Sequence, residues 1–414
     1  MLMQSKNFHG RSSKVWLAVS SLMLATPLFA QEVSDSLNIN DDEEEVSSNS
    51  GLRASIQIGA NYTDNFYYSK NPSRGVAGLF LSPDLIYGYS LDRFKFTGYG
   101  SANVAGFNLP DNADNYIDGR LGVSADWLPA ERHRFYFTTG AQFGHDPFGT
   151  ERTAGTTTLP NRQLDRWYTE TMMVKYSSGL TADILSTELR LLTKTKRYTT
   201  NTASTNALDY TTSSGGATLF YNYSPKTSFL VDISGNRTNF DVSPQQSSDE
   251  IGYLLGVRWL ASAKTSGDMR IGYVQHKPRN IGSNNFQKFS SLDWQANLYW
   301  TPTGYRQFSL RTGRNSQASY LANVSFINIR YVTLQWAEDW TARMTTKLGV
   351  TLKNSEFVGA PRTDNNYFGI ANVEYRTSDY TTLLGSISYG QRDSNVDFID
   401  ANRFGAYVGV RFIR

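Results

Sequence analysis

From Gly51 to Arg414 the chain reads as short segments in which apolar and polar residues alternate with a period of two, the pattern of β-strands carrying one apolar face. Eighteen such segments are predicted, near 52–62, 76–90, 93–106, 116–128, 133–145, 166–177, 180–198, 208–224, 227–240, 249–261, 267–277, 288–301, 305–316, 326–341, 343–357, 365–377, 380–392 and 402–414. The last is the cleanest. Phe404, Ala406, Val408, Val410 and Phe412 fall on one face, and Arg403, Gly405, Tyr407, Gly409 and Arg411 on the other. Such a strand leaves an apolar edge open to aggregation unless it pairs with the first strand and closes the sheet. The prediction is therefore an all-β, antiparallel transmembrane β-barrel of about eighteen strands.

The connections alternate as well. Short turns (Leu91-Asp92, Leu128 to Arg132, Ser178-Gly179, Pro225-Lys226, Ser262 to Ser266, Pro302 to Gly304, Ala342, Ser378-Asp379) take turns with longer polar stretches such as 146–165 and 278–287. Short periplasmic turns, long extracellular loops and an even strand count are the build of bacterial outer-membrane barrels. Every second strand also ends in an aromatic just before its short turn: Tyr89, Trp127, Tyr176, Tyr223, Trp259, Trp300, Trp340, Tyr375 and Phe412. A small residue or proline follows two positions on in seven of these nine, as in Trp127-Leu128-Pro129 and Trp300-Thr301-Pro302. Amphipathic rings at one end of every second strand read as a periplasmic aromatic girdle against the headgroups. The aromatics of a soluble β-sandwich core have no reason to repeat in that way.

Parity then assigns faces. Between 288 and 301, Leu292, Trp294, Ala296, Leu298 and Trp300 face lipid, which turns Asp293, Gln295, Asn297 and Tyr299 inward. The same rule sends Arg53, Asp118, Arg120, Asp126, Asp232, Asn236, Arg258, Arg311, Lys347, Lys353, Glu374, Arg376 and Arg411 into the lumen as candidate pore-lining residues. Two places resist: Glu170 takes lipid-facing parity, and the alternation slips near Arg330, where a β-bulge is predicted.

Composition changes the picture in three ways. Aromatics make up 14% of the chain while the mean hydropathy is −0.44, as expected of strands apolar on one face only. Cysteine is absent, which excludes disulfides, thiolate metal sites and a lipidated N-terminal cysteine. Charge is unevenly spread: residues 1–30 carry Lys6, Arg11 and Lys14, whereas 31–50 carry seven acidic residues and no Lys or Arg. Basic residues, the apolar run Val15 to Ala25 and Pro27-Leu28-Phe29-Ala30 read as a secretory signal peptide over 1–30. Residues 31–50 read as a disordered acidic periplasmic tail. With the whole chain at +3, setting aside +3 for the signal and −7 for the tail leaves +7 on 51–414.

No metal-ligand cluster, phosphate loop or coenzyme fingerprint is present. His133, His145 beside Asp146, and His276 stand at predicted strand ends with no serine or paired carboxylates spaced to complete a catalytic site. A non-enzymatic barrel without cofactor or nucleic-acid partner follows. Eighteen strands enclose an aqueous channel, so the barrel is expected to be a pore.

Two sets of residues carry a family resemblance. Arg403, Gly405, Val408, Val410 and Phe412 resemble the C-terminal signal read by the outer-membrane barrel-assembly machinery, with Ile413 and Arg414 extending past the final aromatic. The whole of 51–414, with its Trp-x-Pro/Ala and Tyr-x-Pro turns, resembles the outer-membrane β-barrel porins encoded in exopolysaccharide and capsule gene clusters. That resemblance implies a Gram-negative outer-membrane location, contact with membrane lipid, and a polymer exit working with polysaccharide and periplasmic export proteins. A general or nutrient diffusion porin is the alternative and predicts an inward constricting loop, best placed at 146–165. A structural or adhesive barrel is the third.

Overall fold

The computed structural model describes residues 50–71, 73–109, 114–150, 153–155, 163–180, 182–262, 264–279, 288–319, 321, 324 and 326–414. The predicted signal peptide, all of the predicted tail but Ser50, and much of 146–165 and 278–287 lie outside these residues.

Eighteen antiparallel strands form one sheet. They are β1 (Gly51–Thr63), β2 (Val76–Leu91), β3 (Phe94–Phe107), β4 (Tyr116–Ala130), β5 (His133–Asp146), β6 (Asp165–Ser178), β7 (Leu185–Tyr198), β8 (Tyr210–Ser224), β9 (Thr227–Phe240), β10 (Ser248–Ser262), β11 (Thr265–Pro278), β12 (Phe289–Thr303), β13 (Arg306–Ala318), β14 (Phe326–Asp339), β15 (Met344–Val358), β16 (Arg362–Arg376), β17 (Thr381–Ser394) and β18 (Ala401–Ile413). Each pairs with its sequence neighbours, and β18 returns to β1 with Phe412 opposite Ile56 and Tyr407 opposite Asn61. The sheet is closed, so no edge remains to aggregate.

The seam runs to the end of the chain. Arg414 and Ala54 exchange both backbone hydrogen bonds, at 2.8 and 3.0 Å. At its centre Gly59 faces Gly409, and the Tyr407 ring lies over both; a Cβ on Gly409 would meet the Tyr407 hydroxyl. Glycine is required here because the ring occupies the space a side chain would take.

Burial is inverted relative to a soluble protein. Asp232 is 3% exposed while its neighbours Val231 and Ile233 are 46% and 50% exposed. The apolar stripe points out and the polar one in, the arrangement suited to lipid outside and a polar interior.

The turn motif has a structural cause. In four hairpins the register shifts directly at the short turn, between Trp127 and Ala130, Asn222 and Ser224, Trp259 and Ser262, and Trp300 and Thr303. The residue after the aromatic donates its N–H to the preceding turn: Leu128 to Arg93, Leu260 to Lys226, Thr301 to Lys264, Arg376 to Arg343 and, at the terminus, Ile413 to Tyr380, at 2.7–2.9 Å. Ile413 therefore repeats the step made after Trp127, Trp259, Trp300 and Tyr375.

Three features of the sequence reading are revised. β7 starts at Leu185, not 180, because Asp183 accepts the Leu180 N–H at 2.8 Å and pairs with Arg132 at 3.0 Å, holding the chain out of the ladder. Trp340 sits in the turn beyond β14. No bulge occurs at Arg330: β14 keeps unbroken register with β13 and β15, and Arg330 continues the outward parity. Charged residues at outward positions, rather than a backbone irregularity, caused the apparent slip.

Candidate functional site: the barrel lumen and its mouth

The inward face is a set of ion pairs laid along the wall. On the β7–β11 side, Asp232 accepts from Arg190 at 2.5 Å and from Thr218 at 2.5 Å, with Arg270 at 3.5 Å. Arg258 lies on the same face, its guanidinium 4.5 Å from the Phe220 ring centroid. On the seam side, Lys347 holds Glu374 at 2.7 Å, Arg411 approaches Glu374 at 3.8 Å and Gln57 at 3.3 Å, and Gln57 donates to Tyr407 at 2.9 Å. Between them, Arg134 forms a bidentate pair with Asp126 at 2.8 Å. Such pairs rigidify long side chains against the wall and leave the axis to water.

The other candidates from parity share this face. Arg120 donates to Ser101 at 3.2 Å and stands 5.6 Å from the Tyr99 ring centroid; Arg311 donates to Tyr299 at 3.2 Å; Asp293 accepts from Ser291 at 2.5 Å. Asp118 Oδ1 lies at hydrogen-bond distance from His145 Nδ1, 2.9 Å. Lys353 lies opposite inward Tyr331, Arg53 opposite inward Ile86, and Arg376 at the turn end of β16. Parity applied evenly would also have found Arg190 and Arg270. It would have found Asp84 too, which lies on the inward parity of β2.

At the long-loop end the inward face becomes aromatic and basic. Asp146 accepts from Trp167 Nε1 and the Tyr198 hydroxyl, both at 2.8 Å, with Lys196 4.7 and 4.9 Å from the two ring centroids. Just before β8, burial raises the Asp209 carboxyl above its ordinary range, although it accepts the Tyr198 N–H at 2.8 Å. His276 Nδ1 is 3.0 Å from Glu250 and its ring stacks on Phe326.

Part of the 146–165 connection crosses this mouth. Phe148 packs on Phe66 and Tyr67, and the Gly149 carbonyl accepts from Arg392 Nη1 on β17 at 2.6 Å. Arg392 also donates to Ile399 O at 2.8 Å, tying the same contact to the β17–β18 connection. Gly149 has φ +71°, and a Cβ there would meet the Tyr67 carbonyl at 2.3 Å, so the crossing depends on glycine. Gly155 rests against Phe398 and Ile399.

On the outward face the turn-end aromatics stand in a band and are met by rings that parity had not included. Trp300 stacks on Phe308 with centroids 5.1 Å apart, Trp127 lies 5.6 Å from Phe135, and Tyr223 6.3 Å from Phe229. Tyr176 takes both Phe135 at 4.9 Å and a hydrogen-bond contact with His133 at 2.8 Å. Tyr89, Trp340, Tyr375 and Phe412 are 42–55% exposed, and Trp259 is half-buried over Gly267. A second outward set, Tyr168, Tyr367 and Phe404, lies eight positions before Tyr176, Tyr375 and Phe412. At about 3.4 Å per residue and a tilt near 40°, that spacing is about 21 Å of height, close to the ~25 Å apolar band of outer-membrane barrels.

No curated protein matches the chain. Among solved structures it is similar to the siderophore receptor PirA from Pseudomonas aeruginosa, at 12% identity over 89% of this chain and 81% of that one, with TM-score 0.44. It is also similar to an anion-selective porin from Comamonas acidovorans, at 11% identity over 88% and 99%, with TM-score 0.41. Residues 51–414 match the family described as "Putative beta-barrel porin 2", the full extent of the closed barrel, and the chain belongs to that family.

Proposed function

We propose that this porin-family barrel is an anion-preferring channel of the Gram-negative outer membrane, and that its cargo is an acidic exopolysaccharide or capsular polysaccharide leaving the periplasm. The observation that supports this is the inward charge. Residues 51–414 carry +7, and Arg53, Arg120, Arg258, Lys353 and Arg376 add to the inner face beyond the wall pairs around Asp126, Asp232 and Glu374. A low-dielectric wall focuses that excess onto the axis and raises local anion concentration. Cations set beside aromatic faces, as at Arg258–Phe220 and Arg120–Tyr99, suit acidic sugars, and many weak contacts let a polymer keep moving.

A second reading, a diffusion porin for small anionic solutes, is favoured by the crossing of the mouth around Phe148 and Gly149. Deletion of the gene, complemented by wild type or by Arg120→Glu/Arg258→Glu, separates the two. Export predicts loss of surface polymer in the deletion strain and poor rescue by the double variant. Normal surface polymer in the deletion strain would overturn export and leave diffusion.

A further inference from the structure

Two outward-facing arginines toward the long-loop end of the barrel are each paired with a carboxylate. Arg237 pairs with Asp249 at 2.8 Å and Arg197 with Asp241 at 2.9 Å. One pair breaks the rule. Arg314 on β13 and Arg330 on β14 are direct cross-strand partners on the lipid-facing side, where like charges opposite one another destabilise a sheet. One carboxylate stands beside the pair, on Arg330 alone: Glu356 lies 3.8 Å from Arg330, and each side chain is about half exposed, at 50% and 49%. Arg314 donates to the Leu292 carbonyl at 3.3 Å, its Nε has no hydrogen-bond acceptor among the described residues, and the carboxylate it feels besides, Asp293, is buried on the inward side of β12. Directly below stand exposed Val332, Leu334 and Leu352.

We propose that Arg314 and Arg330 form a binding site for a phosphate of the outer-leaflet glycolipid, with the acyl chains lying along Val332, Leu334 and Leu352. The pair stands at the long-loop end, the cell-surface side in such barrels, where phosphorylated glycolipid headgroups meet the wall. Guanidinium groups match phosphate oxygens with paired N–H donors, and an anion between the two arginines removes their mutual repulsion. Beside them Asn354 on β15 donates to Asn365 on β16 at 2.8 Å, which extends the polar strip at this level. This inference is independent of what passes through the lumen.

The test uses the full-length barrel in lipid nanodiscs, with bisphosphorylated lipid A and the same lipid stripped of phosphate as probes. Wild type should retain the phosphorylated form at least about tenfold better, as expected for charge-assisted hydrogen bonds. Arg314→Gln/Arg330→Gln should bind the two forms alike, whereas Arg237→Gln, whose arginine is already paired, should keep the preference. Equal retention of both lipids by wild type, or an undiminished preference in the double variant, would overturn the site. Should the double variant not fold, wild type and Arg314→Gln decide: the preference should fall with added salt and be weaker in the variant, and a salt-independent, unchanged preference would overturn it.

Discussion

Placing an arginine at Leu255 tests the face assignment most sharply. Leu255 is 62% exposed and lies between outward Val231 and Ile271 on the flanking strands. It is four positions before the girdle residue Trp259, which at about 2.6 Å of height per residue sets it about 10 Å above the interface, near the middle of the ~25 Å band. Leu255→Arg should therefore cost about 2–4 kcal/mol, or about thirtyfold to several hundredfold in the folding equilibrium. Asn236→Arg, on the inward face opposite Glu250 and Ser214, should change stability by less than about 1 kcal/mol. Leu298→Arg, only two positions from Trp300 and thus about 5 Å from the interface, should fall between them. Urea titrations of folding into phospholipid bilayers, read by tryptophan fluorescence and gel mobility, give the three values. Equal costs for Leu255→Arg and Asn236→Arg would mean that the faces are reversed or mixed.

Removing the Lys347 ammonium with Lys347→Met should destabilise the barrel by about 1–3 kcal/mol in the same titration, because Glu374 then keeps only the longer contact to Arg411. Arg392→Ala cuts the hydrogen bonds to Gly149 and Ile399, so single-channel conductance should rise or flicker open; an unchanged trace would show that the crossing at Gly149 does not restrict the passage. For topology, Val242→Cys, in the β9–β10 connection, should react with an impermeant maleimide on whole cells and Ser378→Cys, in the β16–β17 turn, should not. The opposite labelling would invert the barrel.

The fold was readable because lipid outside and water inside impose a period of two on every strand, and because the aromatic before each short turn marks the same membrane level. Closure could be anticipated from 402–414 alone. The misreadings have local causes. Asp183 draws the start of β7 out of the ladder by side-chain bonds that alternation does not encode. Arg314 and Arg330 put charge on the outward face at the headgroup boundary, which in a one-dimensional pattern is indistinguishable from a slipped register. Inward position was legible, but partnership was not: Arg190 and Asp232 are two strands apart, and their contact depends on the closed sheet. The 146–165 connection could be named as the candidate inward loop, but its anchor could not, since Arg392 meets Gly149 only when β17 and the β5–β6 connection share one rim.

The central claim is a lumen with an excess of positive charge, and reversal potential measures it most directly. With purified protein in a planar bilayer under a KCl gradient, the account predicts a potential of the sign set by preferred chloride passage. That preference should weaken as ionic strength rises and the screening length shortens to about 8–10 Å near 0.1–0.15 M salt. Arg120→Glu/Arg258→Glu should reduce or reverse it. A cation-selective wild-type channel would contradict the account.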